Sequence, residues 1–104
     1  MLPVRVDSDA AQELEEAIAW YERQSPGTGK RLLDAFDTAI RLLEDHSVPF
    51  VPVSGAAGRL GAKQLLLHRF PYSVIVVEDD DAFVVLAVAH HARRPGYWMD
   101  RLST

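Results

Sequence analysis

Apolar positions in the first half of the chain recur every three or four residues: Ala11, Leu14, Ile18 and Tyr21, then Leu32, Leu33, Phe36, Ile40 and Leu43. That spacing gathers each set on one face of a helix. It predicts helices over 9–24 and 30–45, with Glu13, Glu15, Glu16 and Glu22 on the remaining faces of the first. Asp7-Ser8-Asp9 offers caps for the first helix, because a short side-chain oxygen can accept from the free amides of its first turn. Ser25-Pro26-Gly27-Thr28-Gly29 separates the two and reads as a tight link between antiparallel helices. Before them, Val4-Arg5-Val6 alternates as a short strand does.

The pattern changes in the second half. Residues 46–61 hold Pro49, Pro52, Gly55, Gly58 and Gly61, and are expected to form a long loop with some extended structure. Three strand-like runs follow, over 63–69, 70–78 and 82–91. The last two are rich in Val and Ile and flank the acidic turn Glu78-Asp79-Asp80-Asp81, so the three are expected to form an antiparallel meander. The last run is continuously apolar, which predicts a central strand covered on both faces. One face should take the helical hairpin. The other should take the tail over 95–102 or a partner.

The order is β-α-α-β-β-β, with helices ahead of the main strands, an α+β arrangement. The expected architecture is a helical hairpin packed on a mainly antiparallel four-stranded sheet, with a short helical tail at the C-terminus. At 104 residues the chain is expected to be a single domain spanning 1–104, with a thin core.

Composition narrows the chemistry. There is no cysteine, which removes disulfides, thiolate metal sites and cysteine nucleophiles. No run approaches the ~18–20 apolar residues needed to span a bilayer, and the first residues lack a signal-peptide apolar core, so a cytoplasmic location and no membrane partner are expected. The net charge of −4 argues against general nucleic-acid binding. That charge is unevenly spread. Residues 1–56 carry five Lys/Arg against ten Asp/Glu, and residues 57–104 carry six against five. Four of the latter acids sit in the 78–81 turn, so the rest of the second half is locally basic.

Candidate site residues gather where the predicted strands end. Arg69, Arg93 and Arg94 are suited to grip phosphate or carboxylate with a planar fork, and Lys63 adds a cation. Their alternative role is a solvated surface pairing with acids. His90 and His91 are adjacent on a strand and should point to opposite faces, a poor geometry for chelating one metal. No metal and no cofactor are expected. Each histidine reads either as a neutral ring bonded to a backbone carbonyl or as a general acid or base. Tyr72, Tyr97 and Trp98 could stack on a partner. Equally, Tyr72 could be core and Trp98 could fold back over the sheet. Trp20 and Tyr21 read more simply as helix–sheet packing.

Three stretches resemble one family: Ala17-Ile18-Ala19-Trp20-Tyr21-Glu22, Arg69-Phe70-Pro71-Tyr72-Ser73-Val74, and Ala87-Val88-Ala89-His90-His91-Ala92-Arg93-Arg94-Pro95-Gly96-Tyr97-Trp98. Together with the element order they resemble the RelE/ParE superfamily of toxins from type II toxin–antitoxin systems, closest to the ParE-like, plasmid-stabilisation branch. The resemblance implies a cytoplasmic toxin that inhibits growth and is neutralised by a cognate antitoxin protein bound to the helical hairpin, around Trp20, Tyr21 and Phe36. For the ParE branch it implies poisoning of DNA gyrase, with Lys63, Arg69, Tyr72, Arg93, Arg94, Tyr97 and Trp98 in contact with the target. For the RelE branch it implies metal-independent cleavage of mRNA on the ribosome, with His90, Arg93 and Tyr97 as catalytic candidates. A non-toxic remnant that only binds antitoxin is the third reading. The chain departs from the family at Val76-Val77, where a Tyr-Arg pair is common, and in its acidic net charge. Both departures count against cleavage and against potent toxicity, and the first keeps the remnant reading open. Homodimer and hetero-oligomer are both open. Removing residues 93–104 is expected to abolish toxicity while leaving the fold.

Overall fold

A computed structural model describes residues 3–45, 50–53 and 55–103 of the chain. Residues 46–49 and 54, part of the predicted loop, lie outside the described residues.

Strand β1 (Val4–Val6) leads directly into helix α1 (Ser8–Gln24). The expected side-chain cap is not made: Asp7 is extended and its carboxylate bonds no first-turn amide. The sheet fixes the entry instead, through the Asp7 N–H donated to the Val85 carbonyl at 3.0 Å. Helix α2 (Thr28–Glu44) begins after Gly27, which takes the left-handed φ of 92°. Its first amides are satisfied from α1: the Glu22 carboxylate accepts from the Gly27 N–H at 2.9 Å and from the Gly29 N–H at 3.0 Å. This borrowed cap lets α2 start ahead of the predicted Lys30, absorbing Thr28 and Gly29 from the predicted link.

The stretch predicted as loop holds two short elements, β2 (Val51–Pro52) and α3 (Gly55–Arg59). The meander then follows as β3 (Lys63–Leu66), β4 (Tyr72–Glu78) and β5 (Phe83–His90). The sheet therefore has five strands where four were expected, in the order β1-β5-β4-β3-β2. Among the described residues only the β1–β5 pair is parallel. Residues 67–71, predicted as strand, form a turn that closes with the Leu67 N–H on the Tyr72 carbonyl at 3.0 Å. The β4–β5 register slips once: Ile75 faces Ala87 and Val76 faces Val85, which leaves Leu86 without a partner as a bulge.

Strand β5 is buried along nearly its whole length. On one face the hairpin contributes Leu14, Leu32, Phe36 and Leu43 to a core with Val74, Val76, Val85 and Val88. On the other, Ile75, Leu86, Ala87 and Ala89 are covered by Ala57 of α3 and by the tail, whose Trp98 is 3% exposed and whose last turn is a 3-10 helix, Met99–Ser103. Both faces are thus closed by the chain itself. The tail forms part of the core, which counts against the expectation that the fold would survive loss of residues 93–104. Among the described residues no helix is long and apolar enough to cross a membrane.

Candidate functional site

Tyr72 of β4 pairs with His90 of β5, and the His91 N–H donates to the Pro71 carbonyl at 2.8 Å. The turn after β3 and the turn after β5 are thereby tied side by side, bringing Arg69, Arg93 and Arg94 to one end of the sheet. All three are exposed, and none makes an ion pair with a described residue. Arg69 has a φ of 70°, the one non-glycine with positive φ among the described residues. An L-residue there costs roughly 1–2 kcal/mol. Asparagine or glycine would relieve that strain, so an arginine in this position is unexplained by backbone needs.

Lys63 does not join this group. It opens β3 opposite Val76 and Pro52, and its Nζ lies 5.3 Å from the centre of the Phe50 ring. The two histidines separate as their alternation demands. His90 lies on the α1 side, edge-on to Tyr72 with centroids 4.9 Å apart, and its Nδ1 accepts from the Ala92 N–H at 2.9 Å. His91 Nε2 and the buried Ser73 hydroxyl are 2.9 Å apart on the tail side. Each ring is held locally, though not by the backbone carbonyl expected for it. The described residues contain no cluster of three His, Cys, Asp or Glu that could hold a metal.

On the tail side a cleft of about 430 Å³ opens beside these groups, floored by Ile75 and Ala89 and walled by Gln64, His91, Arg93 and Arg94. On the α1 side an aromatic ladder runs inward from the surface. Trp20, half exposed, meets Tyr21 at 5.0 Å, and Tyr21 meets Phe70 at 5.3 Å and Tyr72 at 6.4 Å, all edge to face. Burial, and then the neighbouring Tyr21, push the Tyr72 hydroxyl above its ordinary pKa. Tyr21 therefore packs as predicted, while Trp20 offers much of its ring to solvent. Phe36 is buried in the core, so its own ring is not part of any surface.

The least expected part of the site is a carboxylate. Beyond Val85, β5 has no strand beside it on the β1 side, because β1 has turned into α1. Glu13 fills that gap. Its Oε1 accepts from the Val88 N–H at 3.1 Å, and Arg101 Nη1 donates to the Leu86 carbonyl at 2.8 Å. The two side chains meet as a two-pronged pair, Nη1 to Oε1 at 3.0 Å and Nη2 to Oε2 at 3.2 Å, with both largely buried. Tyr97 donates its hydroxyl to Glu13 Oε2 at 2.5 Å. The Arg93 guanidinium then lies 3.9 Å over the Tyr97 ring.

Glu13, Tyr97 and Arg101 shift one another's titration. Burial by itself would raise the Glu13 carboxyl, but hydrogen bonds from Arg101, Tyr97 and the Val88 amide outweigh it and hold the group below its ordinary value. Burial, reinforced by the Glu13 carboxylate, raises the Tyr97 hydroxyl far above the usual tyrosine range. Arg101 is raised by its bond to Glu13. A tyrosine that already donates to a carboxylate and holds its proton so tightly is a poor general acid. Trp98, with its indole buried against the sheet, has little surface to give a partner.

The sequence singles out neither Glu13 nor Arg101, and Glu13 is expected only on the faces left over by the apolar stripe. The signal was present: Glu13 shares the helical face of Ala10, Leu14 and Ala17, all buried. A lone acid on an apolar stripe must find a partner.

Residues 4–95 match the family described as ParE toxin of type II toxin-antitoxin system, parDE. The chain belongs to that family, whose members work with an antitoxin as partner. No curated protein matches the sequence closely enough to add to this. Among solved structures, a chain from a chromosomal ParDE TA system of P. aeruginosa superposes with a TM-score of 0.70 at 15% identity, over 86% of this chain and 96% of that one. At that identity the likeness establishes the shared fold.

Proposed function

We propose that this chain is a ParE-like toxin that acts by contact, as one domain over 1–104. By resemblance its target is DNA gyrase, and a cognate antitoxin silences it by covering the helical hairpin in the cytoplasm. The observation that carries the reading is the trio Arg69, Arg93 and Arg94: exposed, without acidic partners among the described residues, and set at one end of the sheet. Three guanidinium groups held this way suit carboxylates or phosphates on a large partner. A cleavage mechanism is less well supported, because the Tyr97 hydroxyl is engaged by Glu13 and the two histidines point to opposite faces.

The test is induction of the chain in a bacterial host carrying a DNA-damage reporter, with growth followed in parallel. Growth arrest with reporter activation is expected. Arrest with a silent reporter would overturn the gyrase reading and turn attention to mRNA cleavage by way of His90 and Arg93. Uninhibited growth with tight antitoxin binding would identify a non-toxic remnant. In the same host Arg69→Asn should weaken arrest without harming the fold, since asparagine tolerates the left-handed backbone that arginine occupies under strain.

A further inference from the structure

Arg93 is exposed and flexible by nature, yet the structure gives it one defined place. Its backbone is fixed by the N–H donated to the His90 carbonyl at 3.0 Å. That bond orients the turn and leaves the long side chain free. Among the described residues the guanidinium has no hydrogen bond and no ion pair, and its one defined contact is the face of the Tyr97 ring at 3.9 Å. An unanchored arginine would lose much of its rotamer freedom when a partner fixes it. An arginine already stacked has surrendered part of that freedom before binding.

The ring can hold Arg93 only if the ring itself is held. Gly96, with a φ of 77°, precedes it and Trp98, buried, follows it. These flank the Tyr97 backbone; its half-buried ring packs against the apolar cluster beneath the tail, with the Arg101 guanidinium 5.4 Å from its centre, and its far end is tied by the hydroxyl to Glu13. Glu13 is in turn immobilised by Arg101 and the Val88 amide. We propose that Glu13 is a positioning residue for Arg93, acting through Tyr97: a carboxylate on α1 sets the orientation of an arginine on the tail by fixing the ring on which that arginine lies. The functional consequence rests on the reading of Arg93 as a target contact. The placement itself does not.

The experiment has two arms. In the first, the side-chain proton resonances of Arg93 are measured by NMR in the full chain, in Glu13→Gln and in Tyr97→Phe. The wild-type signals should be displaced upfield by the Tyr97 ring. In both variants they should return toward those of a free arginine, while the amide dispersion of β4 and β5 is kept. Tyr97→Phe removes a single oxygen and keeps the ring, so it covers the case in which Glu13→Gln fails to fold. Arg93 signals that stay upfield in a folded variant overturn the proposal.

In the second arm, growth arrest is compared among Glu13→Gln, Arg93→Ala and the double variant. Glu13→Gln should weaken arrest, and the double variant should be no weaker than Arg93→Ala alone, because the two residues act in series. Independent, additive losses would overturn the series relation. Full arrest by Arg93→Ala would strike the target-contact reading instead, and the NMR arm would then decide the positioning by itself.

Discussion

Replacing Trp98 by alanine tests whether the tail belongs to the core. The indole is 3% exposed and covers a face formed by Ile75, Leu86, Ala87 and Ala89. Truncating a buried tryptophan typically costs about 3–5 kcal/mol, as lost transfer free energy plus an unfilled cavity. This face is closed by a short tail and a five-residue helix, so little stands ready to collapse into the space. The upper half of that range is expected. A chain of 104 residues has a total stability of about 5–15 kcal/mol, so the variant would keep only a fraction of it. With a urea slope of ~1.5 kcal/mol per molar, the unfolding midpoint should fall by roughly 3 M. Trp20→Ala is the control: half exposed, it should cost under about 1 kcal/mol. A midpoint for Trp98→Ala within about 0.5 M of wild type would refute the reasoning, since it would mean the tail does not seat on the sheet. The same energetics indicate that deleting residues 93–104 would expose the β4–β5 face, so loss of toxicity in such a deletion would report unfolding as readily as loss of a contact.

Two further outcomes follow from the packing around α1. Glu13 titrates below its ordinary value of 4.5 in the folded chain, so the stability it contributes is complete above that value and is lost as pH falls through the depressed one. Urea unfolding repeated from neutral pH down to about pH 3 should therefore show a flatter acid limb, from a lower starting stability, in Glu13→Gln than in wild type. Gly29→Ala should destabilise the chain by about 1–3 kcal/mol in thermal melts, although alanine is normally worth ~1 kcal/mol more than glycine in a helix. The added Cβ would lie 2.7 Å from the Ile18 carbonyl oxygen and 2.9 Å from Glu22 Oε1, both on the facing helix.

The hairpin and the meander were legible because each writes its own period into the sequence. Leu32, Phe36 and Leu43 mark a helix facing a core, and the apolar runs on either side of residues 78–81 mark two strands joined by a solvated turn. Strand β2 and helix α3 were not legible. Two residues of strand and a five-residue helix are too short to show a period, and proline and glycines dominate them. Arg69, Arg93 and Arg94 were found because guanidinium groups at strand ends stand out in composition. Their adjacency needed the register of Tyr72 with His90. Glu13 and Arg101 are 88 residues apart, a separation across which no local pattern operates. The burial of Trp98 was one of two readings open in the sequence, a stacking surface or a ring folded back over the sheet, and the structure takes the second.

The bulge at Leu86 reverses the phase of β5. Ahead of it the odd-numbered residues Phe83 and Val85 look toward the helices; beyond it the even-numbered Val88 does, while Leu86 and Ala87 lie in succession on the opposite face. One unpaired residue near the middle of the strand therefore decides which side of the sheet its final histidine serves. In the phase as built, His90 meets Tyr72 and the groove along α1, and His91 is left for Ser73 and the cleft beneath the tail. Pairing Leu86 into an unbroken ladder would exchange those assignments and turn Val88 away from the hairpin core, whereas deleting Leu86 would straighten the ladder and keep them. An irregularity of one residue thus sets how the two sides of this small sheet divide their chemistry.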